Sequence, residues 1–305
     1  MEQQQDVYDV VVAGGGPAGL AAGLWLARYR RSALVVDAGD PRNAETWAVH
    51  GYPGVDEVAP YELRRRLKEQ ALTAGPRFRA GMVEAVEGRA DDFRVRVSDG
   101  RELRARRVLL CTGLKDILPE IPGFDELYGT SIWHCPDCDG PGVADMRVGV
   151  LGWGRQIAAF CTYMLTWTDR LVLLTHGHSP ELPEKSQEAL ARFEIPVRTE
   201  VIERLEGQAG CIQRAVLHTG DTVELAAMFV HIARGPGSTL PADLGCRADE
   251  EGILEIDKDH ETTVPGVYAA GDITPGSRLA IRAASEGVRA AIGIHKALIT
   301  EGAKV

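Results

Sequence analysis

The chain has 305 residues, 45% of them hydrophobic and 26% charged, an ordinary globular composition with room for about two domains. Its net charge of −10 argues against nucleic acid and anionic membrane surfaces as partners. The start, Met1-Glu2-Gln3-Gln4-Gln5-Asp6, lacks the basic region of a secretory signal, so a cytoplasmic protein with reduced single cysteines is expected.

Val10 to Ala27 runs for 18 residues without a charge, but it contains Gly14, Gly15, Gly16, Pro17 and Gly19 and is not a membrane span. It predicts a buried parallel strand, Val7 to Ala13, turning into a helix near Pro17, where a missing N–H costs nothing. In the spacing Gly14-x-Gly16-x-x-Gly19, the first glycine permits a tight turn, the second lets a pyrophosphate approach the backbone, and the third lets helix and strand pack closely. A second strand, Ala33 to Val36, ends at Asp37, placed to accept hydrogen bonds from a ribose. Polar loops follow at Ala38–Asn43 and His50–Gly54, then a helix from Tyr61 to Ala74. Residues 78–111 alternate as strands, with a hairpin turn at Asp99-Gly100. The runs Arg64–Arg66 and Arg104/Arg106/Arg107 read as solvated faces, and Cys111 as a small core residue.

A linker at Leu118–Gly123 leads to His134-Cys135-Pro136-Asp137-Cys138-Asp139-Gly140. Two thiols at this spacing can store two electrons as a disulfide. The same spacing makes half a zinc site, but Cys111, Cys161, Cys211 and Cys246 stand singly, so no metal is expected. Asp139 can relay a proton to the neighbouring thiol if burial raises its pKa. His134, which in its positive form would favour a Cys135 thiolate, reads rather as a surface or packing residue. A second strand, turn and helix begins at Arg147, with Gly152-Trp153-Gly154-Arg155-Gln156-Ile157 at the turn. The next strand, Leu171 to Leu174, ends in Thr175-His176-Gly177-His178, and strands continue from Val197 to Ile232. Arg234–Gly237 marks another boundary, Thr263–Asp272 reads as strand into loop, and a helix from about Leu279 to Leu298 closes the chain.

Four segments, GGGPAG at 14–19, CTG at 111–113, CPDCDG at 135–140 and TTVPGVYAAGD at 262–272, together resemble the low-molecular-weight thioredoxin reductases over nearly the whole chain. The resemblance implies an α/β fold of two Rossmann-like three-layer ββα nucleotide-binding domains. Residues 1–117 and 241–305 would form a discontinuous FAD-binding domain, and 118–240 an NAD(P)H-binding-like domain carrying the redox pair. Gly14, Gly16, Pro17, Ala18, Gly19 and Asp37 match the adenosine-diphosphate site, Arg42 and Asn43 a loop near the isoalloxazine, and Val83 a strand residue beside the adenine. Thr112, Gly113, Gly271 and Asp272 match further flavin contacts, and Arg278, Leu279 and Ala280 a helix start aimed at the ring. Cys138 matches the flavin-facing thiol, Cys135 the thiol that exchanges with substrate, and Asp139 the acid–base carboxylate. A homodimer is implied.

The second nucleotide site departs from that pattern. Ile157 stands at the third small position, Trp153 where the family usually has glycine, and His176, Gly177 and Glu181 where arginines would grip a 2′-phosphate. Loss of glycine geometry and of charge points to a chain that does not use NADPH directly. Phe160, Tyr163 and Trp167 are expected on one helical side, as core or as a seat for another flat ring. Four readings stay open. One is a disulfide oxidoreductase acting on a thioredoxin-like protein or a small dithiol or disulfide, fed by a donor such as ferredoxin. The others are an oxygen-dependent dithiol oxidase of the gliotoxin or holomycin type, an NADPH-dependent thioredoxin reductase, and a non-enzymatic flavin-binding sensor.

Overall fold

The computed structural model describes residues 7–55, 57–231 and 233–302. The Met1–Asp6 start and Ile232, both used in the sequence reading, lie outside the described residues. Contacts divide the chain into two compact units: one holds the chain up to Ala44, Gly51–Lys115 and the part from Arg234 on, the other Glu45–His50 and Asp116–Ala233.

The first unit contains β1 (Val7–Ala13), α1 (Pro17–Arg28), β2 (Ala33–Asp37), α2 (Pro60–Ala74), β3 (Arg77–Ala80), β4 (Val83–Arg89), β5 (Asp92–Val97), β6 (Glu102–Leu110) and the start of β7 (Leu114–Asp116). The second contains β8 (Ile132–Trp133), α3 (Pro136–Asp139), β9 (Val148–Leu151), α4 (Ile157–Met164), β10 (Leu171–Leu174), α5 (Glu184–Arg192), β11 (Val197–Arg198), β12 (Ile202–Gln208), β13 (Cys211–Leu217), β14 (Thr222–Glu224) and β15 (Ala227–Val230). The chain then returns to the first unit through β16 (Arg234–Pro236), α6 (Leu240–Asp243), β17 (Val267–Ala269) and α7 (Ala280–Gly302).

Alternation along the strands builds three layers in each unit. In the first, Val11, Ala13, Leu34, Val36, Val108 and Leu110 bury against β4 and β5, where Val86, Phe93 and Val95 meet them. The intervening Val10, Val12, Ala33, Val35 and Leu109 bury against α1 and α7. The central strands are apolar on both faces because both are covered, as parallel strands require. Each fully buried valine or leucine contributes about 1.5–3 kcal/mol. The sheet order is β3-β2-β1-β6-β5-β4, with β17 parallel to the end of β6. In the second unit, Leu151, Val172, Leu174, Met228 and Val230 face the antiparallel strands β12 and β13. Val148, Val150, Leu171, Leu173 and Phe229 face α4 and α5. The parallel sheet there runs β11-β10-β9-β15-β8. Both units are therefore Rossmann-like ββα sandwiches.

Several expectations need correction. Helix α5, Glu184–Arg192, was not anticipated, and the closing helix runs Ala280–Gly302. Arg107 is no solvated residue: it is 2% exposed and pairs with Asp91 at 3.0 Å. By contacts the units change over at 115/116 and 233/234, with Glu45–His50 grouped with the second. Strand β16 pairs with β7, and the Gly237 N–H donates to the Gly113 carbonyl at 3.0 Å, which ties residues 234–240 to the first unit.

Among the described residues, no helix is long and apolar enough to cross a membrane.

Candidate functional site

In the first unit the chain leaves β1 toward β2 on one side, while β6 lies on the other. This reversal opens a crevice beyond the carboxyl ends of β1 and β6, the place where open α/β sheets bind ligands. Gly14 turns the chain there with φ +109°, and a Cβ would fall on the Cys111 carbonyl oxygen. A Cβ at Gly19 would fall on the Gly14 carbonyl, so α1 presses on the turn. Gly16 differs: its φ is −73°, and no atom lies within 4 Å of a Cβ built on it. Open space therefore stands over the first N–H groups of α1, where Pro17 starts the helix.

The other candidate residues gather around this turn or stand apart as follows. Asp37 accepts from the Gly15 N–H at 3.0 Å and the Gly39 N–H at 3.3 Å, and pairs with Arg64. The Thr112 hydroxyl is buried with no hydrogen-bond partner, and Gly113 has φ +65°. Gly271 comes beside Ala18, and its N–H donates to the buried Glu286 carboxylate at 3.0 Å. Arg42 pairs with Asp272 at 3.0 Å, and Asn43 is half-buried beside it in sequence. Val83 is buried in the core. Arg278 donates to the Gly276 carbonyl at 2.9 Å, while its buried Nε has no partner. Leu279 precedes α7, which starts at Ala280. The open helix start, the unpartnered Thr112 hydroxyl and the unpartnered Arg278 Nε fit a large polar, anionic cofactor such as FAD. Arg64 and Glu286 were missed by sequence reasoning, since one charge on an exposed helix and another deep in a long helix carry no motif.

In the second unit, β8 delivers the redox turn. Cys135 and Cys138 are joined as a disulfide across a Cα–Cα distance of 5.3 Å. Pro136 occupies the first position of α3, and the Cys138 and Asp139 N–H groups both donate to the Cys135 carbonyl at 3.1 Å. The Asp139 side chain is only 9% exposed, and burial pushes its carboxyl up to about 7. It is thus half protonated near neutrality and able to give or take a proton. A Cβ at Gly140 would meet the Trp167 ring at 2.6 Å, so the indole packs on the turn. Tyr163 on α4 bonds Asp137, and the Tyr128 hydroxyl lies 2.7 Å from His134 Nδ1. Trp167 lies beyond the end of α4, so the three aromatics do not share one helical stripe. The remaining thiols at Cys111, Cys161 and Cys246 are buried, which raises the pKa of each, while Cys211 is exposed.

Asp139→Asn should stabilise the protein at alkaline pH. An acid whose folded pKa is raised binds more protons folded than unfolded, so stability falls as pH rises from about 4 to about 7. The charge cost, on the order of 2–4 kcal/mol, is fully present above pH 7 and absent below pH 4. Urea unfolding at pH 8 should show the variant more stable than wild type, and at pH 4 nearly equal. Equal gains at both pH values would contradict the burial account.

A family model described as pyridine nucleotide-disulphide oxidoreductase matches residues 8–287. The chain belongs to that family. Within it, the chain is a thioredoxin reductase-like flavoprotein disulfide oxidoreductase. It is 28% identical to a thioredoxin reductase of Aquifex aeolicus, over 98% of this chain and 95% of the relative. It is 31% identical to the thioredoxin reductase tcpT of Claviceps purpurea, over 88% and 87%. The crystal structure of HlmI superposes with a TM-score of 0.90 at 34% identity, covering 99% of this chain and 95% of that one.

The second unit repeats the strand–turn–helix arrangement of the first, with Gly152 and Gly154 at its turn, and no atom lies within 4 Å of a Cβ built on Gly154. The corresponding reversal lies between β9, with β10 on one side, and β15 on the other. A Cβ at Gly152 would stand 2.6 Å from Ile157 Cδ1 and 3.0 Å from His231 Cβ. Ile157 is fully buried and starts α4. Its side chain packs directly on Gly152. Trp153 stacks on His178 with ring centroids 3.8 Å apart, and Phe160 meets His231 edge-on at 5.3 Å. His176 Nδ1 accepts from the Ile202 N–H at 3.0 Å, and a Cβ at Gly177 would stand 2.7 Å from Val201 Cγ2. Neither position holds a cation aimed at a phosphate.

Proposed function

We propose that this chain passes two electrons between FAD and the Cys135–Cys138 disulfide and does not take them directly from NADPH. The observation that supports the reading is the second turn, where Ile157 packs on Gly152, Trp153 stacks on His178, and His176 and Gly177 present no cation to a phosphate. FAD supplies a two-electron store at the first unit. There Gly14, Gly16, Pro17, Ala18 and Gly19 hold its pyrophosphate at the α1 N-terminus, and Asp37 takes a ribose. Arg42, Asn43, Thr112, Gly113, Gly271, Asp272 and the Arg278–Ala280 segment supply further contacts.

In the second unit the reduced Cys135 thiolate attacks one sulfur of a substrate disulfide and forms a mixed disulfide. The Cys138 thiolate then attacks Cys135, which re-forms the internal bond and releases the substrate as a dithiol. Asp139 holds or delivers the proton that Cys138 loses and regains. The same steps run backward on a dithiol substrate. The thioredoxin reductases among the relatives support a thioredoxin-like protein as substrate. The donor is then a non-nicotinamide one such as ferredoxin. Oxidation of a small dithiol by oxygen, giving a disulfide and hydrogen peroxide, is the second reading. It is favoured by Trp167 and Tyr163 packed on the redox turn, since aromatic faces seat small flat molecules.

An anaerobic dithionite titration tests the reading. The protein should take up about four electrons, two for flavin and two for the disulfide. Cys135→Ser and Cys138→Ser should each take up about two. Uptake of only two by the unmodified protein would sink it.

A further inference from the structure

His50 reaches the redox turn from an unexpected stretch of chain. The segment Glu45–His50 groups with the second unit, although the residues on either side of it belong to the first. A Cβ at Gly129, which has φ +80°, would fall on the Glu45 carbonyl oxygen, so the segment lies directly on that backbone. Ala48 and Val49 are buried, and Trp47 stands edge-on to the His50 ring at 5.3 Å. This anchoring leaves His50 Nε2 3.9 Å from Asp139 Oδ1. The His50 side chain is 23% exposed and that of Asp139 9% exposed, so the imidazole meets water where the carboxyl does not.

A buried carboxyl that must exchange a proton needs a partner with a wet side. Imidazole is the side chain that exchanges protons near neutral pH. The 3.9 Å gap closes with one bridging water or a small rotation, as unliganded proton-transfer pairs commonly require. The other polar groups at the turn are engaged elsewhere. Asp137 is bonded by Tyr163, and His134 lies against Tyr128, with Asp116 at 3.9 Å.

We propose that His50 is the positioning and proton-transfer partner of Asp139, carrying its proton to and from water. The proposal rests on Asp139 serving Cys138 as proton carrier. When the disulfide is reduced, one proton passes from His50 Nε2 to an Asp139 oxygen as Asp139 gives its own to the Cys138 sulfur. His50 then takes a replacement from water. Disulfide formation runs the same transfers in reverse.

The test uses the whole flavoprotein, reduced with dithionite, freed of excess reductant and reoxidised by 5,5′-dithiobis(2-nitrobenzoate). His50→Gln should slow reoxidation roughly 100-fold at pH 7, with flavin content and unfolding midpoint unchanged. His50→Ala should be slowed as much, and added imidazole should restore most of the lost rate. A purely structural role would not give that rescue. In parallel, the infrared carboxyl band of Asp139, assigned by its loss in Asp139→Asn, should titrate with a higher midpoint in His50→Gln. A wild-type rate in His50→Gln, or a His50→Ala defect that imidazole leaves untouched, would overturn the proposal. If the unmodified protein moves no electrons through the disulfide, the proposed function fails. The infrared midpoint then decides His50 alone: an unchanged midpoint overturns the pairing and a raised one supports it.

Discussion

Gly16→Val should give a folded, colourless protein. The position has φ −73°, ordinary for any residue, and a Cβ there meets no protein atom within 4 Å. The substitution therefore leaves the strand–turn–helix intact. It fills the space over the first N–H groups of α1, where a pyrophosphate would be held by the helix end. Two lost charge-assisted hydrogen bonds, at about 1.5–3 kcal/mol each, weaken a dinucleotide by roughly two to four powers of ten. Flavin absorbance per protein should drop to background while far-ultraviolet circular dichroism stays unchanged. Gly14→Ala and Gly19→Ala are the contrasting controls. Their methyl groups would fall on backbone carbonyls, so the fold itself should weaken. A folded Gly16→Val protein that keeps its full flavin complement would remove the cofactor from this crevice.

The parts of the fold that follow from local pattern were legible in the sequence. Buried parallel strands announce themselves as apolar runs, so β1, β2, β9 and β10 stand where the pattern put them. Glycine spacing found the first crevice because the chemistry there is backbone chemistry, written in the residues that lack side chains. What stayed hidden came from side chains reaching across the sequence. Arg107 sits in a run of arginines that looks solvated, and only the fold brings Asp91 beside it. His50 lies in a polar loop with nothing local to link it to Asp139, 89 residues later in the chain. Ile157 is out of place for the family pattern, which the sequence alone shows. It packs on Gly152 in the close-packed layer between β9 and α4.

NADPH should be a very poor donor. Binding a 2′-phosphate draws on charge-assisted contacts of about 1.5–3 kcal/mol each. The lack of arginine at His176 and Gly177 alone weakens NADPH by roughly two to four powers of ten. The bulk of Trp153, stacked on His178, adds a steric cost beside the pyrophosphate turn. Charge cannot simply be put back, because a side chain at Gly177 meets φ +80° and Val201. NADH gains nothing either, since Thr175, His176 and Gly177 offer no carboxylate to a ribose. The decisive measurement is the flavin absorbance of the unmodified protein under anaerobic conditions after addition of NADPH. The account predicts no bleaching within minutes, while dithionite bleaches the same sample at once. Rapid, stoichiometric bleaching by NADPH would contradict it and make the chain an ordinary NADPH-dependent thioredoxin reductase.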